Sequence, residues 1–229
     1  MGVEPGRFER FAARAVAGLV WLLTGATARW QGVAPDGRQR VYFANHASHL
    51  DFVVLWSALP PAVRARVRPV AGADYWRRDA LRRWLAGRVF RAVLIERRAE
   101  GERSHDEVVA SARAAVAATA AALDDGSSLI LFPEGTRGPG GLPQPFKTGL
   151  YHLCRERPGL ELVPVWLDHL NRVLPKGEFV PVPLSATATF GAPLRLEPAE
   201  ERDAFLERTR AALVELWSDR PRPAPAETR

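Results

Sequence analysis

The chain has 229 residues, 47% hydrophobic and 25% charged, which suits one domain with a sizeable core and excludes a disordered protein. The formal net charge of +6 favours an anionic partner: nucleic acid, a membrane surface or a phosphorylated substrate. All but two of the 32 basic residues are arginine, the exceptions being Lys147 and Lys176, a bias that genomic base composition alone can produce.

Residues 1–6 read as a loose terminus and residues 8–30 as helix. Residues 15–28, AVAGLVWLLTGATA, form an apolar run of 14 residues bounded by Arg14 and Arg29. As a helix it extends about 21 Å, short of a hydrocarbon core near 30 Å. Trp21 and Trp30 favour a lipid interface. The preferred reading is a helix inserted shallowly in one leaflet, which makes residues 1–30 a membrane-associating segment; an ordinary buried helix is the alternative. A signal-peptide core fits less well, because Glu4 and Glu9 precede the run and no obvious cleavage site follows it.

After the loop GVAPDGRQ, residues 40–44 (RVYFA) read as a short strand, and Asn45-His46-Ala47 turns into a helix. Ser48 and Asp51 have the spacing of a capping box that opens the apolar run 52–59. PPAVRARV ends that helix, and RPVAGA is a buried strand. Residues 75–87 (YWRRDALRRWLAG) read as one amphipathic helix stopped by Gly87, with Trp76, Ala80, Leu81 and Trp84 on one face and arginines on the others. Residues 90–96 are a strand. Ser104 and Glu107 frame a second capping box, which opens an alanine-rich helix to about residue 123. Residues 127–132 are a strand followed by PEGTRGPGG. TGLYHLCRER is a helix in which Cys154, the only cysteine, reads as a core thiol. LELVPVWLD is a strand, β-type segments follow near 179–183 and 185–190, a last helix covers 199–218, and the tail 219–229 is disordered. Strands alternating with helices predict an α/β fold: a central mixed, largely parallel sheet flanked by helices, spanning residues 31–218.

Two stretches carry chemistry. VYFANHASHLDF, residues 41–52, puts His46, Ser48, His49 and Asp51 within six residues. This is either a metal cluster of the form H-x-x-H-x-D or a histidine base with an aspartate partner, and the residues alone leave both open. LILFPEGTRG places Pro133-Glu134-Gly135-Thr136-Arg137 at the carboxyl end of a buried strand, where open α/β sheets bind ligands. Gly135 allows a backbone conformation that other residues resist. Arg137 carries a fork suited to phosphate, and Glu134 can hold Thr136 or a basic side chain in place. By itself this loop is an anion site or a plain turn.

Taken together, Asn45-His46-x-x-x-x-Asp51 and Phe132-Pro133-Glu134-Gly135-Thr136-Arg137 resemble the glycerolipid acyltransferases of the 1-acylglycerol-3-phosphate acyltransferase (PlsC-type) family. VLIERR resembles a further family block, with Glu96 where the family often has aspartate and Arg97 at the basic position. LVPVWL, centred on Pro164, resembles another, and FKTG, with Lys147, resembles the segment after the glutamate-glycine-threonine-arginine motif. The resemblance runs from about residue 40 to 170. It implies metal-free acyl transfer without a cofactor, from acyl-CoA or acyl-ACP to the free hydroxyl of 1-acylglycerol 3-phosphate. His46 would be the base and Asp51 its partner. Asn45, Arg97, Glu134, Gly135, Thr136, Arg137 and Lys147 would bind substrate, with Pro164 on the wall of the acyl site. Ser48 is then a cap, and His49 packs or lines the cleft. The expected partners are a lysophospholipid, an acyl thioester, an acyl carrier protein and an anionic membrane surface at the cytoplasmic face. Between residues 64 and 98, eleven arginines stand against Asp74, Asp79 and Glu96, a balance suited to an anionic leaflet. No zinc-finger, homeodomain or RNA-recognition signature is present, so nucleic acid is not expected. Other lyso-lipid acceptors, a metal-dependent hydrolase and a non-catalytic membrane-binding module are the competing readings.

Overall fold

The computed structural model describes residues 6–48, 51–96, 104–138, 141–168 and 186–218. Its strands are β1 (Thr27–Trp30), β2 (Arg40–Ala44), β3 (Val67–Gly72), β4 (Val93–Ile95), β5 (Ser128–Leu131), β6 (Glu161–Asp168) and β7 (Thr187–Phe190). They form one sheet in the order β1-β7-β6-β2-β5-β3-β4. The run from β6 to β4 is parallel throughout, whereas β7 lies antiparallel to β6 and carries β1 parallel to itself. The sheet is mixed and largely parallel, and the fold is α/β as the alternating pattern predicts.

The helices are α1 (Arg7–Thr24), α2 (Asp51–Ala58), α3 (Pro61–Arg64), α4 (Ala73–Trp76), α5 (Ala80–Trp84), α6 (His105–Ala121), α7 (Gly149–Glu156) and α8 (Arg202–Ser218). Two apolar layers sandwich the sheet. One gathers α1, α2 and aromatic residues of the 76–90 segment over Tyr42, Ala44, Ile130, Val163 and Val165. The other gathers α6, α7 and α8 over Val41, Phe43, Leu129, Leu162 and Trp166. The alternation along β2 and β6 serves both layers, and every residue of β2 is buried. This is what a parallel strand covered on both faces requires.

Three expectations need correction. The first helix stops at Thr24. Gly25 adopts a left-handed conformation, φ 56°, and its N–H caps the Trp21 carbonyl at 2.7 Å, as a glycine after a helix commonly does. Residues 27–30 are therefore strand β1, inside the sheet, and the boundary expected at residue 30 falls within the domain. The helix expected over 75–87 is broken after Trp76, and α5 runs on as a π-helical turn, Leu85–Val89, through the Gly87 expected to stop it. The Asp79 side chain accepts the Arg82 N–H at 2.8 Å and starts α5, an N-cap that outweighs the continuous amphipathic pattern. Finally, PAVR does not merely interrupt the chain but forms the short helix α3 with proline at its start. The capping box at Ser104 and Glu107 is present with both arms. The segment near 179–183 and the tail 219–229 lie outside the described residues.

Candidate active site

β2 and β5 are parallel neighbours in the register Val41↔Leu129, Tyr42↔Ile130 and Phe43↔Leu131. The turn after β2 and the loop after β5 therefore emerge side by side at the carboxyl edge of the sheet. Asn45, the first residue past β2, spends its amide on the backbone of β6. Its Nδ2 donates to the Leu167 carbonyl at 3.1 Å, and its Oδ1 accepts the Leu167 N–H at 2.8 Å. The side chain thus continues the β2–β6 ladder by one rung and fixes where the next residue points. Asn45 is a positioning residue here.

That next residue is His46. Its Nδ1 lies 2.8 Å from Asp51 Oδ2. The same oxygen accepts the N–H groups of Ala47 at 2.6 Å and Ser48 at 2.8 Å. The Ser48 bond is the carboxylate arm of the predicted capping box. Asp51 is the first residue of α2 and is 1% exposed, so one carboxylate both folds the turn and holds the imidazole. Because Oδ2 only accepts, Nδ1 carries the proton and Nε2 is left as the basic atom. The imidazole also stacks on Phe132, with centroids 4.3 Å apart and planes at 22°.

Glu134 is 2% exposed, and its two oxygens accept backbone N–H groups from two other segments: His46 on Oε1 and Gln144 on Oε2, each at 2.8 Å. The loop is tied to His46 once more by the Gly138 N–H, which donates to the His46 carbonyl at 2.8 Å. Glu134 is thus the clamp between the turn after β2, the loop after β5 and the segment leading to Lys147. Burial pushes its carboxyl above the ordinary value, and the N–H bonds from Gln144 and His46 offset only part of this.

Gly135 has φ +72°, and its N–H closes the turn on the Phe132 carbonyl at 3.1 Å. A Cβ there would stand 3.1 Å from Cγ of Lys147, so glycine serves both the backbone conformation and the close approach of the lysine stem. The Lys147 N–H donates to the Pro133 carbonyl at 2.8 Å. Thr136, Arg137 and Lys147 are exposed, and Arg137 has no ion-pair or hydrogen-bond partner among the described residues. Two cations therefore stand on a loop that buried groups hold rigid beside the histidine.

Pro164 is not brought to this site. Its ring lies against Gly191 and near Leu216 of α8, and the Gly191 N–H caps its carbonyl. That is the face of the sheet opposite the layer that Phe132 joins. Ladder pairing with β7 ends at Val165↔Phe190, so a proline lacking an N–H fits there. Arg97 and His49 lie outside the described residues. Among the described residues, no group of three or more His, Cys, Asp and Glu side chains is arranged to hold a metal ion. No sequence pattern signals the Phe132 stack or the N–H groups of Gln144 and Gly138, since these contacts depend on tertiary placement.

Known proteins resemble this chain in sequence and in fold. A family model described as Acyltransferase matches residues 28–168. The chain is 27% identical over 183 residues to the 1-acyl-sn-glycerol-3-phosphate acyltransferase of Limnanthes alba, covering 80% of this chain and 59% of that protein. It is 34% identical over 122 residues to the 1-acyl-sn-glycerol-3-phosphate acyltransferase alpha of Homo sapiens, covering 52% and 38%. The chain thus spans about three-fifths of the length of the plant relative. Among solved structures, the fold is similar to that of the 1-acyl-sn-glycerophosphate (LPA) acyltransferase PlsC from Thermotoga maritima, with a TM-score of 0.64 at 20% identity over 94% of this chain and 83% of that one.

Proposed function

This chain belongs to the acyltransferase family, and we propose that it moves a fatty acyl group from a thioester, acyl-CoA or acyl-ACP, to the free hydroxyl of 1-acylglycerol 3-phosphate, giving phosphatidic acid. The observation that carries the reading is the hydrogen bond between His46 and the buried Asp51, beside the open cations Arg137 and Lys147. A hydroxyl is a poor nucleophile at neutral pH and needs a positioned base. His46 Nε2 takes the hydroxyl proton as the oxygen adds to the thioester carbonyl, and Asp51 holds the tautomer and steadies the imidazolium. When the tetrahedral intermediate collapses, the carbon–sulfur bond breaks and the imidazolium returns the proton to the thiolate. No enzyme nucleophile and no cofactor takes part. Arg137 and Lys147 bind the acceptor's phosphate, as charge-assisted donors on a fixed loop do. The activity named for the plant and mammalian relatives supports this choice of acceptor.

The reaction is proposed to take place at the cytoplasmic face of the cell membrane, with the protein attached peripherally or monotopically through α1. Among the described residues, no helix is long and apolar enough to cross a bilayer. Instead α1 is apolar on two sides. Ala13, Val16, Ala17 and Val20 pack into the core, while Phe8, Phe11, Leu19 and Leu22 are 68%, 69%, 56% and 70% exposed. Small residues inward and bulky ones outward invert the usual order and suit a helix lying in one leaflet.

The test is thiol release from acyl-CoA and from acyl-ACP, measured with a panel of lysolipids. The expected result is release that depends on an added acceptor and is fastest with 1-acylglycerol 3-phosphate. Faster release with a different lysolipid would reassign the acceptor, and release without any acceptor would make the protein a hydrolase.

A further inference from the structure

A helix lying in a surface leaves the protein free to roll about the helix axis, and a second contact away from that axis would fix the roll. Leu81 in α5 is 65% exposed, about as much as Phe8 and Phe11. Trp84, one turn further on, turns into the apolar layer and meets the Phe8 ring at 5.9 Å. Arg88, just after α5, reaches Glu9 at 3.9 Å. These two contacts join the first turns of α1 to α5, so the exposed leucine and the exposed phenylalanines belong to one rigid unit. Around Leu81 stand Arg78, Arg82 and Arg83. Arg82 pairs with Asp79 at 3.1 Å and covers the Tyr75 ring at 4.3 Å. Arg78 and Arg83 are exposed and have no acidic partner among the described residues.

We infer that Leu81, ringed by Arg78 and Arg83, is a second lipid contact that seats on an anionic leaflet and sets the roll of the molecule on the membrane. The inference rests on the proposed membrane attachment of α1 and extends it. An apolar side chain that enters just below the headgroups, with guanidinium groups at headgroup level, gains from both burial and charge. A second copy of the chain is a poor occupant, because Arg7, Arg10, Arg14, Arg78 and Arg83 would bring like charges together. The consequence reaches the site. α4 and the turn after α5 stand on an aromatic cluster in which Phe52, the residue after Asp51, meets Trp76 at 5.4 Å and Phe90 at 5.1 Å. With two footholds, the face of the sheet on which Phe132 stacks with His46 is held toward the leaflet.

Dye labelling of the full chain tests this directly. Cys154 is buried and its thiol is pushed up to about 12, so an environment-sensitive dye selects a cysteine introduced by Leu81→Cys, Leu22→Cys or Val108→Cys. Vesicles of phosphatidylcholine and phosphatidylglycerol in equal parts should blue-shift the dye at positions 81 and 22, with quenching by bromolipid, and should leave position 108 unchanged. Leu81→Asp should lower vesicle partitioning by about tenfold or more, the scale of burying one leucine. Arg78→Glu with Arg83→Glu should lower it on anionic vesicles and not on pure phosphatidylcholine. A response at position 22 with silence at 81 would overturn the second contact and leave α1 as the attachment. Silence at both would overturn the membrane reading of α1 and this inference with it. A shift at 81 that needs only a higher protein concentration, without vesicles, would assign the surface to a second copy and overturn the lipid.

Discussion

The two ends of the parallel strands hold their charges in opposite ways. At the amino end, Arg40 opens β2 with a fully buried side chain, and every nitrogen of its guanidinium has a partner: Nε donates to Glu161 at 3.1 Å, Nη1 to the Ala34 carbonyl at 2.8 Å and Nη2 to Asp36 at 3.1 Å. Arg38 and Arg195 close on the same Glu161 at 3.3 and 2.7 Å. At the carboxyl end, Arg137 and Lys147 are left open to solvent, and the buried carboxylate beside them, Glu134, is held by backbone N–H groups. The buried acids differ accordingly. Burial alone would raise Glu161, but hydrogen bonds from Arg40 and Arg195, with the charges of Arg38 and Arg40, hold it below the ordinary value. Glu134 has only amide donors, and burial leaves it above. Arginine whose fork is filled fixes the sheet and has nothing left for a ligand. Arginine on a loop that neutral groups hold in place can take one without breaking an existing pair.

The largest effect expected from this contrast is on stability at the amino end. Arg40→Ala leaves Glu161 to Arg38 and Arg195 and Asp36 to Arg38, but it empties a large buried site and takes the Nη1 donor from the Ala34 carbonyl, and should cost about 3–5 kcal/mol of unfolding free energy, read by denaturant titration, while the folded fraction keeps its turnover. A comparable loss of activity per folded molecule would join the two ends into one functional unit and break the contrast. At the carboxyl end, Arg137→Ala should do the reverse. It should lower kcat/KM for phosphate-bearing acceptors by roughly 2–4 kcal/mol and change unfolding by no more than about 0.5 kcal/mol, as exposed substitutions do. A small acceptor without phosphate should suffer less. Equal impairment with both acceptors would show that Arg137 holds the loop instead of a ligand.

Glu134→Gln separates the clamp from the ligands. Glutamine offers one acceptor oxygen where two N–H groups need one each, so the His46 or the Gln144 amide is orphaned at about 1–3 kcal/mol. Melting temperature and kcat should fall together. A drop in affinity for phosphate-bearing acceptor alone, with stability intact, would make Glu134 part of the binding site.

How far the sequence revealed this arrangement follows from the range of each contact. The strand at residues 40–44 and the pairing of His46 with Asp51 are local, five residues apart, and a motif can show them. The clamp from Glu134 to His46 spans 88 residues, and the Asn45 bracket on Leu167 spans 122. Both end on backbone N–H or carbonyl groups that every residue type carries, so no pattern of side chains announces them. Glu134 and Asn45 are therefore legible in the sequence as site residues and not as scaffold. The motif alone makes Pro164 a wall of the acyl site, yet strand alternation turns its ring to the other face. The break at Asp79 shows a single cap overriding a continuous helical pattern.

The smallest effect is a pH dependence whose sign differs between the two ends. Glu161 has its folded value below the unfolded one, so its stabilisation is full above the ordinary carboxylate range and fades as pH falls through the lowered value. Glu134 lies above the unfolded value, so its contribution is full at low pH and is lost as pH rises through the raised value. Across the mildly acid range, Glu161→Gln should lose ground to wild type as pH rises and Glu134→Gln should gain on it. Unfolding titrations at a series of pH values measure both slopes, and slopes of the same sign would remove the contrast between charge-held and amide-held carboxylates.

The central claim is that His46, oriented by Asp51, takes the acceptor's proton. The most direct measurement is the turnover of His46→Ala in acyl transfer from acyl-CoA to 1-acylglycerol 3-phosphate, with circular dichroism to show that the fold is retained. The base acts in the transition state, so the predicted loss is at least on the order of a hundredfold in kcat, and Asp51→Asn should be severe as well. A folded His46→Ala protein that turns over within a few fold of wild type would contradict the account.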